Sequence, residues 1–210
     1  MNASMNSIED DHPELDFTTI IENRIEQAIS CTVEMREHLS TFQSMASSIH
    51  ERFQNGGKLM TCGNGGSAAE ALHLAEELTG RFARNRPPLP ALCLNADPTA
   101  ITCISNDFGF DHVFSRQCEA LGAPGDVLMV FSTSGNSQNI VQVLQSAREK
   151  GIMTMGLLGF DGGNAESLCD ISFLSPGIDS ATIQECHQIA MHAICNCFEP
   201  THENTEQRND

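Results

Sequence analysis

The chain contains no tryptophan and no tyrosine, and its 210 residues include only 11 lysines and arginines against 28 aspartates and glutamates. The resulting net charge of −17 would repel nucleic acid and anionic membrane surfaces over a broad area, so both are excluded as general partners. Any site for an anion must therefore be local, built from backbone amides or a few polar side chains.

Targeting signals and disulfide patterns are also missing from the sequence. No apolar run approaches membrane-spanning length, and the first eleven residues lack the basic start and apolar centre of a secretory signal. The nine cysteines are odd in number and form no Cys-x-x-Cys pair. These features predict a cytoplasmic protein whose cysteines are mostly small buried side chains. The close pair Cys195 and Cys197 follows helical spacing and is interpreted as core or flank residues, with a metal role as the alternative.

Glycine and proline are absent from residues 15–55. Apolar residues recur there in steps of three and four, which predicts an N-terminal hairpin of two amphipathic helices. We expect Ser40 or Thr41 to cap the second helix, Gly56 and Gly57 to end it, and the first helix to pack on another subunit. The apolar positions are Ile21, Ile25, Ile29 and Val33, then Phe42, Met45, Ile49 and Phe53.

The rest of the chain alternates short apolar runs with helical patterns. It predicts strands at 58–62, 91–95, 127–132, 152–158 and 171–174, and helices at 67–82, 98–104, 111–121, 137–150 and 180–198. Nearly continuous apolar strands indicate an open, parallel, doubly wound α/β sheet covered on both faces. We expect one domain at 15–199, a disordered acidic N-terminus at 1–14 and a disordered tail at 200–210.

A glycine-rich turn follows the first predicted strand, in the sequence Gly63-Asn64-Gly65-Gly66-Ser67. It leads into a helix on which His73 and Glu77 share one face at i and i+4. The free amides of a helix N-terminus favour a bound oxyanion or phosphate, and the glycines allow close approach of the backbone. The pair alone could also be an ordinary exposed helix pair.

A second turn of similar design follows the strand at 127–132, in the sequence Ser132-Thr133-Ser134-Gly135-Asn136-Ser137. It lacks the Gly-Lys-Ser/Thr ending of a nucleotide-binding loop. Four hydroxyls beside backbone amides suit a single phosphate monoester. The alternative is an ordinary capped turn, since serine, threonine and asparagine are good helix caps. Because two such turns occur, we favour an anion site at the carboxyl ends of the strands.

Several motifs in order give the sequence a resemblance to the sugar isomerase (SIS) family, and within it to the phosphoheptose isomerases. They are the glycine-rich turn, the helix of His73 and Glu77 continued by Leu78-Thr79-Gly80-Arg81-Phe82, Asn106-Asp107-Phe108-Gly109-Phe110, Phe114-Ser115-Arg116-Gln117, Gly125-Asp126-Val127-Leu128, the serine-rich turn, and Ile183-Gln184-Glu185 with His192.

The resemblance implies conversion of sedoheptulose 7-phosphate to D-glycero-D-manno-heptose 7-phosphate, the entry to ADP-heptose and lipopolysaccharide core synthesis. The isomerisation passes through an enediol, which needs a base at C1 and an acid at C2. By resemblance Glu77 is the base and His192 the acid. The residues that would bind the substrate are Asn64, Gly65, Gly66, Ser67, Glu77, Asn106, Asp107, Ser132, Thr133, Ser134, Ser137 and Gln184.

The resemblance also implies one zinc ion per subunit, held by His73, Glu77, Gln184 and His192, and a homotetramer. Gln184 and His192 are eight positions apart, roughly 12 Å along a straight helix and about 80° around it. They are poorly placed to reach one metal from one chain. We therefore expect a shared site, in which His192 reaches the His73 and Glu77 face of a neighbouring subunit.

One departure from the family pattern concerns Ala181 and Thr182, where relatives usually carry an arginine before the isoleucine and often an acid before that. Two alternatives to the heptose phosphate isomerase stay open at this point. One is an isomerase for another phosphosugar. The other is a non-catalytic SIS module of the type that associates with a replication initiator, against which the presence of both Glu77 and His192 argues.

Overall fold

The alternating apolar runs form a five-stranded, fully parallel sheet in the computed structural model, which describes residues 16–200. The strands are β1 (Leu59–Gly63), β2 (Ala91–Cys93), β3 (Val127–Ser132), β4 (Met153–Gly159) and β5 (Ile171–Ser175). Their order is β2-β1-β3-β4-β5. This is a doubly wound topology, in which the chain extends the sheet first to one side of β1 and then to the other, so the switch point lies between β1 and β3. The predicted fold class is confirmed. The predicted disordered ends, 1–14 and 200–210, fall outside the described residues except for Pro200.

Two apolar layers cover the two faces of the sheet. Successive strand residues point to opposite faces, so Met129 and Phe131 join one layer and Leu128 and Val130 the other. The first layer contains the N-terminal helices together with α3 (Gly66–Thr79) and α8 (Ser180–Asn196). The second contains α4 (Pro98–Phe108), α5 (Ser115–Leu121) and α6 (Gln138–Glu149). Helices α3 and α8 therefore lie together on one side of the sheet.

The N-terminal hairpin consists of α1 (Phe17–Glu34), a 3-10 turn (Met35–His38) and α2 (Leu39–Gln54). The expected cap at Ser40 or Thr41 is wrong, because α2 begins at Leu39 and the 3-10 turn carries the helical backbone through the corner. Gly56, with a φ of +81°, ends α2 as expected. Along α1 only Cys31 is buried, and a stripe of apolar side chains is at least half exposed: Phe17, Ile20, Ile21, Ile25, Ile29 and Val33.

Several other boundaries differ from the sequence prediction, among them the ends of α3 at Thr79 and of β2 at Cys93. Helix α4 continues to Phe108, with Asp97 accepting hydrogen bonds from Thr99 N and Ala100 N at its start. The helix predicted at 111–121 is divided into a 3-10 turn (Phe110–His112) and α5. A short α7 (Gly163–Glu166) follows β4 in a segment for which no helix was predicted. Across the described residues, no helix combines the length and apolar character that a membrane span requires.

Candidate active site

The two anion-suited turns begin side by side at the switch point of the sheet. In the register of β1 and β3, Gly63 pairs with Phe131, so the glycine-rich loop and the serine-rich loop leave adjacent strands at the same level. A reciprocal amide pair ties the first loop to the helix after the second: Asn64 Nδ2 donates to Asn139 Oδ1 and Asn139 Nδ2 donates to Asn64 Oδ1, each at 2.9 Å. The two loops are therefore adjacent and linked to each other at this edge of the sheet.

Glycines shape the first loop where it becomes α3. Gly65 precedes the helix with a φ of +58°, a backbone conformation that residues other than glycine rarely adopt. Gly66 opens the helix, and a Cβ at this position would meet the Gln184 carboxamide. The side chain of Asn95 fixes the loop entry, because it accepts from Gly63 N and donates to Gly63 O. The loop is therefore held in place before any ligand binds.

The serine-rich loop is folded over a close backbone contact. Ser132 Oγ accepts from Gly135 N at 3.0 Å, and a Cβ on Gly135 would collide with the Gly162 carbonyl in the loop after β4. Ser137 occupies the N-cap of α6, yet its hydroxyl makes no capping hydrogen bond. The ordinary-cap interpretation therefore does not describe Ser137, whose hydroxyl is available to a ligand.

Helices α3 and α8 bring four polar side chains together at the C-terminal half of α3, the helix that the glycine-rich loop opens. His73 Nε2 lies 3.0 Å from Glu77 Oε1. Gln188 Nε2 lies 2.7 Å from His73 Nδ1 and 3.1 Å from His192 Nε2. The rings of His73 and His192 meet edge to face with centroids 5.2 Å apart. Ligand atoms of His73, Glu77 and His192 all lie within 4.8 Å of one another, close enough to hold a metal ion.

This cluster forms within one chain, so the expectation that His192 reaches a neighbouring subunit is wrong. The contacts between α8 and α3 run in the same order along both helices, with Gln184 at Gly66, Gln188 at His73, and His192 at His73. The sequence argument placed Gln184 and His192 about two turns apart. That argument assumed that Gln184 and His192 meet at one metal ion. In the structure Gln184 instead faces Gly66 of α3, and His192 faces His73.

The surroundings of the cluster are partly apolar. The ring of Phe82 lies 5.4 Å from that of His192. Partial burial, and secondarily the neighbouring His73, lower the pKa of the His192 imidazole. The buried Arg86 donates to the carbonyls of Glu77 and Leu78 and so holds the C-terminal end of α3. The helix that carries His73 and Glu77 is thus fixed at the end next to the cluster.

The remaining predicted site residues have different surroundings. Ser67 is buried in the first turn of α3, Ser132 is buried, Thr133 is half-buried and Ser134 is exposed. Asn106 and Asp107 lie at the exposed end of α4, where Asn106 Nδ2 donates to Asp107 Oδ1. Roles of all these residues in binding stay predictions. Six of the nine cysteines are buried and all are free thiols, as expected; of the close pair, Cys195 is buried and Cys197 is exposed.

Sequence reasoning missed Gln188 and Asn139. Gln188 is four positions from both Gln184 and His192, so the three form one ridge along α8. That spacing was a usable signal. Asn139 carried no comparable signal, since its partner Asn64 is 75 positions away.

The doubly wound sheet with two anion-suited loops at its switch point places the chain in the class of α/β domains that bind small ligands at that point. The SIS domain family matches residues 25–159. A phosphoheptose isomerase of Pelobacter propionicus is 52% identical over 155 residues, 74% of this chain and 82% of the relative. A phosphoheptose isomerase of Rhodospirillum rubrum is 42% identical over 172 residues, 82% and 92% of the two chains.

Solved structures agree with the sequence comparisons. A phosphoheptose isomerase from Francisella tularensis superposes with a TM-score of 0.84 at 32% identity, covering 87% of this chain and 98% of that one. The phosphoheptose isomerase from Neisseria gonorrhoeae gives 0.81 at 38% identity, covering 86% and 97%. The chain belongs to the SIS domain family and, within it, to the phosphoheptose isomerases.

Proposed function

We propose that the chain is an enzyme that converts sedoheptulose 7-phosphate to D-glycero-D-manno-heptose 7-phosphate, the step that opens ADP-heptose and lipopolysaccharide core synthesis. The relatives named above support the activity. A cytoplasmic location, which the sequence predicts, suits a phosphorylated intermediate. The observation that carries the proposal is the meeting of Glu77 and His192 within one chain, where α8 packs against the helix that the glycine-rich loop opens.

In the proposed reaction, Glu77 takes a proton from C1 and His192 delivers a proton to C2. The Glu77 carboxylate is mostly shielded, with 15% of its side chain exposed, so water competes little for the transferred proton. The serine-rich loop binds the phosphate through Ser132, Thr133, Ser134 and Ser137. The first loop, with Asn64, Gly65, Gly66 and Ser67, together with Gln184, Asn106 and Asp107, binds the sugar.

The direct test uses purified protein with sedoheptulose 7-phosphate in heavy water, followed by NMR. We expect an aldose phosphate to form with deuterium at C2, because the proton delivered to C2 comes from an exchangeable group. A lack of any aldose phosphate would overturn the proposal.

We further propose zinc as the resident metal. The nitrogen and oxygen donors of His73, Glu77 and His192 form a set that zinc accepts, and their spacing fits a single ion. When bound, zinc would act as a Lewis acid toward the sugar oxygens. The Gln184 carboxamide lies against Gly66 and not with these three side chains, so Gln184 of the same chain is poorly placed to be the fourth ligand. Glu77 needs one oxygen free of the metal to remain an effective base.

Removal of zinc should therefore abolish most of the activity. We expect the chelated protein to lose turnover and to regain it when zinc, but not magnesium, is added back, because histidine nitrogens suit zinc and not magnesium. The measurement is the rate of aldose phosphate formation against zinc content determined by mass spectrometry. Full turnover by protein that contains no measurable zinc would contradict the prediction.

A second candidate is an isomerase acting on another phosphosugar, which the surroundings of Thr182 favour. Thr182 is buried, and its hydroxyl accepts from Ile178 N and Asp179 N in the cap of α8. By resemblance, the family pattern has an arginine at this position, so threonine would remove a cation. A panel of five-, six- and seven-carbon ketose phosphates decides between the candidates by comparison of kcat/KM.

We also propose a homo-oligomer, with a tetramer as the family expectation, assembled through α1. The apolar stripe of Ile21, Ile25 and Ile29 is exposed in the single chain, and such a surface usually marks an interface. We expect Ile25→Glu to lower the mass measured by light scattering. Gln27→Glu, which adds the same charge at an exposed polar position of α1, should leave the mass unchanged. Equal masses for the two variants would contradict the proposal.

A further inference from the structure

Gln188 lies in the middle of the histidine cluster, although nothing in the proposed reaction requires it. Its carboxamide nitrogen lies within hydrogen-bond distance of two ring nitrogens, His73 Nδ1 at 2.7 Å and His192 Nε2 at 3.1 Å. It comes from α8, one turn from both Gln184 and His192, and reaches across to α3. It is half-buried, so its contacts are partly screened from water.

The chemistry of a carboxamide limits which ring nitrogens carry protons. The NH₂ group can only donate, and its two hydrogens can serve both rings. His73 Nδ1 and His192 Nε2 must then both be unprotonated. The proton of a neutral His73 therefore lies on Nε2, which faces Glu77 Oε1 at 3.0 Å and can donate to it. Every contact in the chain from Gln188 through His73 to Glu77 is satisfied in this arrangement.

A bound cation would change which ring nitrogen of His73 carries the proton. A metal shared by His73 and Glu77 has to take the Nε2 lone pair, because this nitrogen faces the carboxylate. The ring proton then moves to Nδ1, which needs an acceptor, and a metal-bound histidine is normally oriented by such a partner. Rotation of the Gln188 side-chain amide by half a turn would place Oε1 opposite Nδ1.

We infer that Gln188 is a positioning residue that sets the tautomers of His73 and His192, presenting its NH₂ group without a metal and its carbonyl oxygen to His73 Nδ1 when zinc is bound. The second half rests on the zinc site proposed above. The first half, the orientation of the NH₂ group toward both rings, concerns the metal-free protein alone and is tested separately.

Nitrogen NMR of histidine side chains tests the metal-free state directly. In the full chain labelled with ¹⁵N-histidine and stripped of metal, we expect the neutral tautomer of His73 to carry its proton on Nε2 and that of His192 on Nδ1. Resonances are assigned with His73→Asn and His192→Asn. Addition of zinc should move the His73 proton to Nδ1. A proton on His73 Nδ1 before zinc is added would overturn the inference.

Zinc affinity, measured by competition with a chromophoric chelator, separates positioning from space-filling. Gln188→Leu keeps the approximate volume but cannot accept a hydrogen bond, so we expect zinc to bind about 10- to 100-fold more weakly. Gln188→Glu keeps the acceptor and should bind zinc at least as tightly as the unsubstituted chain. Unchanged affinity in Gln188→Leu, or equal loss in both variants, would overturn the inference. Absence of zinc binding by the unsubstituted chain would instead overturn the zinc proposal.

Discussion

Replacement of Glu77 by glutamine should reduce kcat by about a hundredfold to ten thousandfold, the range in which a positioned general base contributes. Glutamine keeps the shape of the side chain and can still accept from His73 Nε2. It cannot take a proton from C1. The loss should therefore fall on kcat with little change in KM, and incorporation of deuterium from heavy water into substrate and product should slow in parallel.

Glu76→Gln is the matched control, because it makes the same chemical change one position away on the exposed side of α3. We expect its kcat to stay close to that of the unsubstituted enzyme. Zinc content has to be measured in both variants, since Glu77 is also a proposed ligand. If Glu77→Gln keeps its zinc and also turns over at the full rate, another group acts as the base.

Local patterns in the sequence were enough to place most of the elements. The runs that became β1 and β3 are apolar on both faces, and the glycines and serines after them mark where each strand ends. Helix boundaries were less predictable at corners such as Met35–His38, where no glycine or proline interrupts the pattern. The strand order was not predicted, because it depends on packing between segments far apart in sequence.

In the candidate site too, contacts within one helix could be predicted from the sequence, whereas contacts between helices could not. His73 and Glu77 share a helix, so their spacing predicted their contact. His192 lies on α8, and a calculation on an isolated straight helix gave the correct separation from Gln184 but the wrong partner. The missing information was the course of α3, which runs alongside α8 and presents Gly66 to Gln184 and His73 to His192.

The close contact beneath the serine-rich loop gives the second large expected effect. Gly135 has a φ of +62°, and its missing side chain leaves room for the Gly162 carbonyl. Gly135 O also accepts from Ala165 N at 3.0 Å. Alanine at this position has to adopt a left-handed conformation and push the two loops apart. We expect a destabilisation of about 3 kcal/mol, the sum of the conformational and overpacking costs.

Gly56→Ala separates the two costs of Gly135→Ala, because Gly56 has a φ of +81° but open space where the Cβ would lie. It should lose only about 1 kcal/mol, the conformational part, and keep its KM. Gly135→Ala should raise KM for the phosphosugar at least about tenfold, since displacement of the loop weakens a charged hydrogen bond to the phosphate. Denaturant unfolding and steady-state kinetics measure the two effects. Equal destabilisation by both variants would show that the loops can separate at no cost and that the proposed phosphate site is not held by this contact.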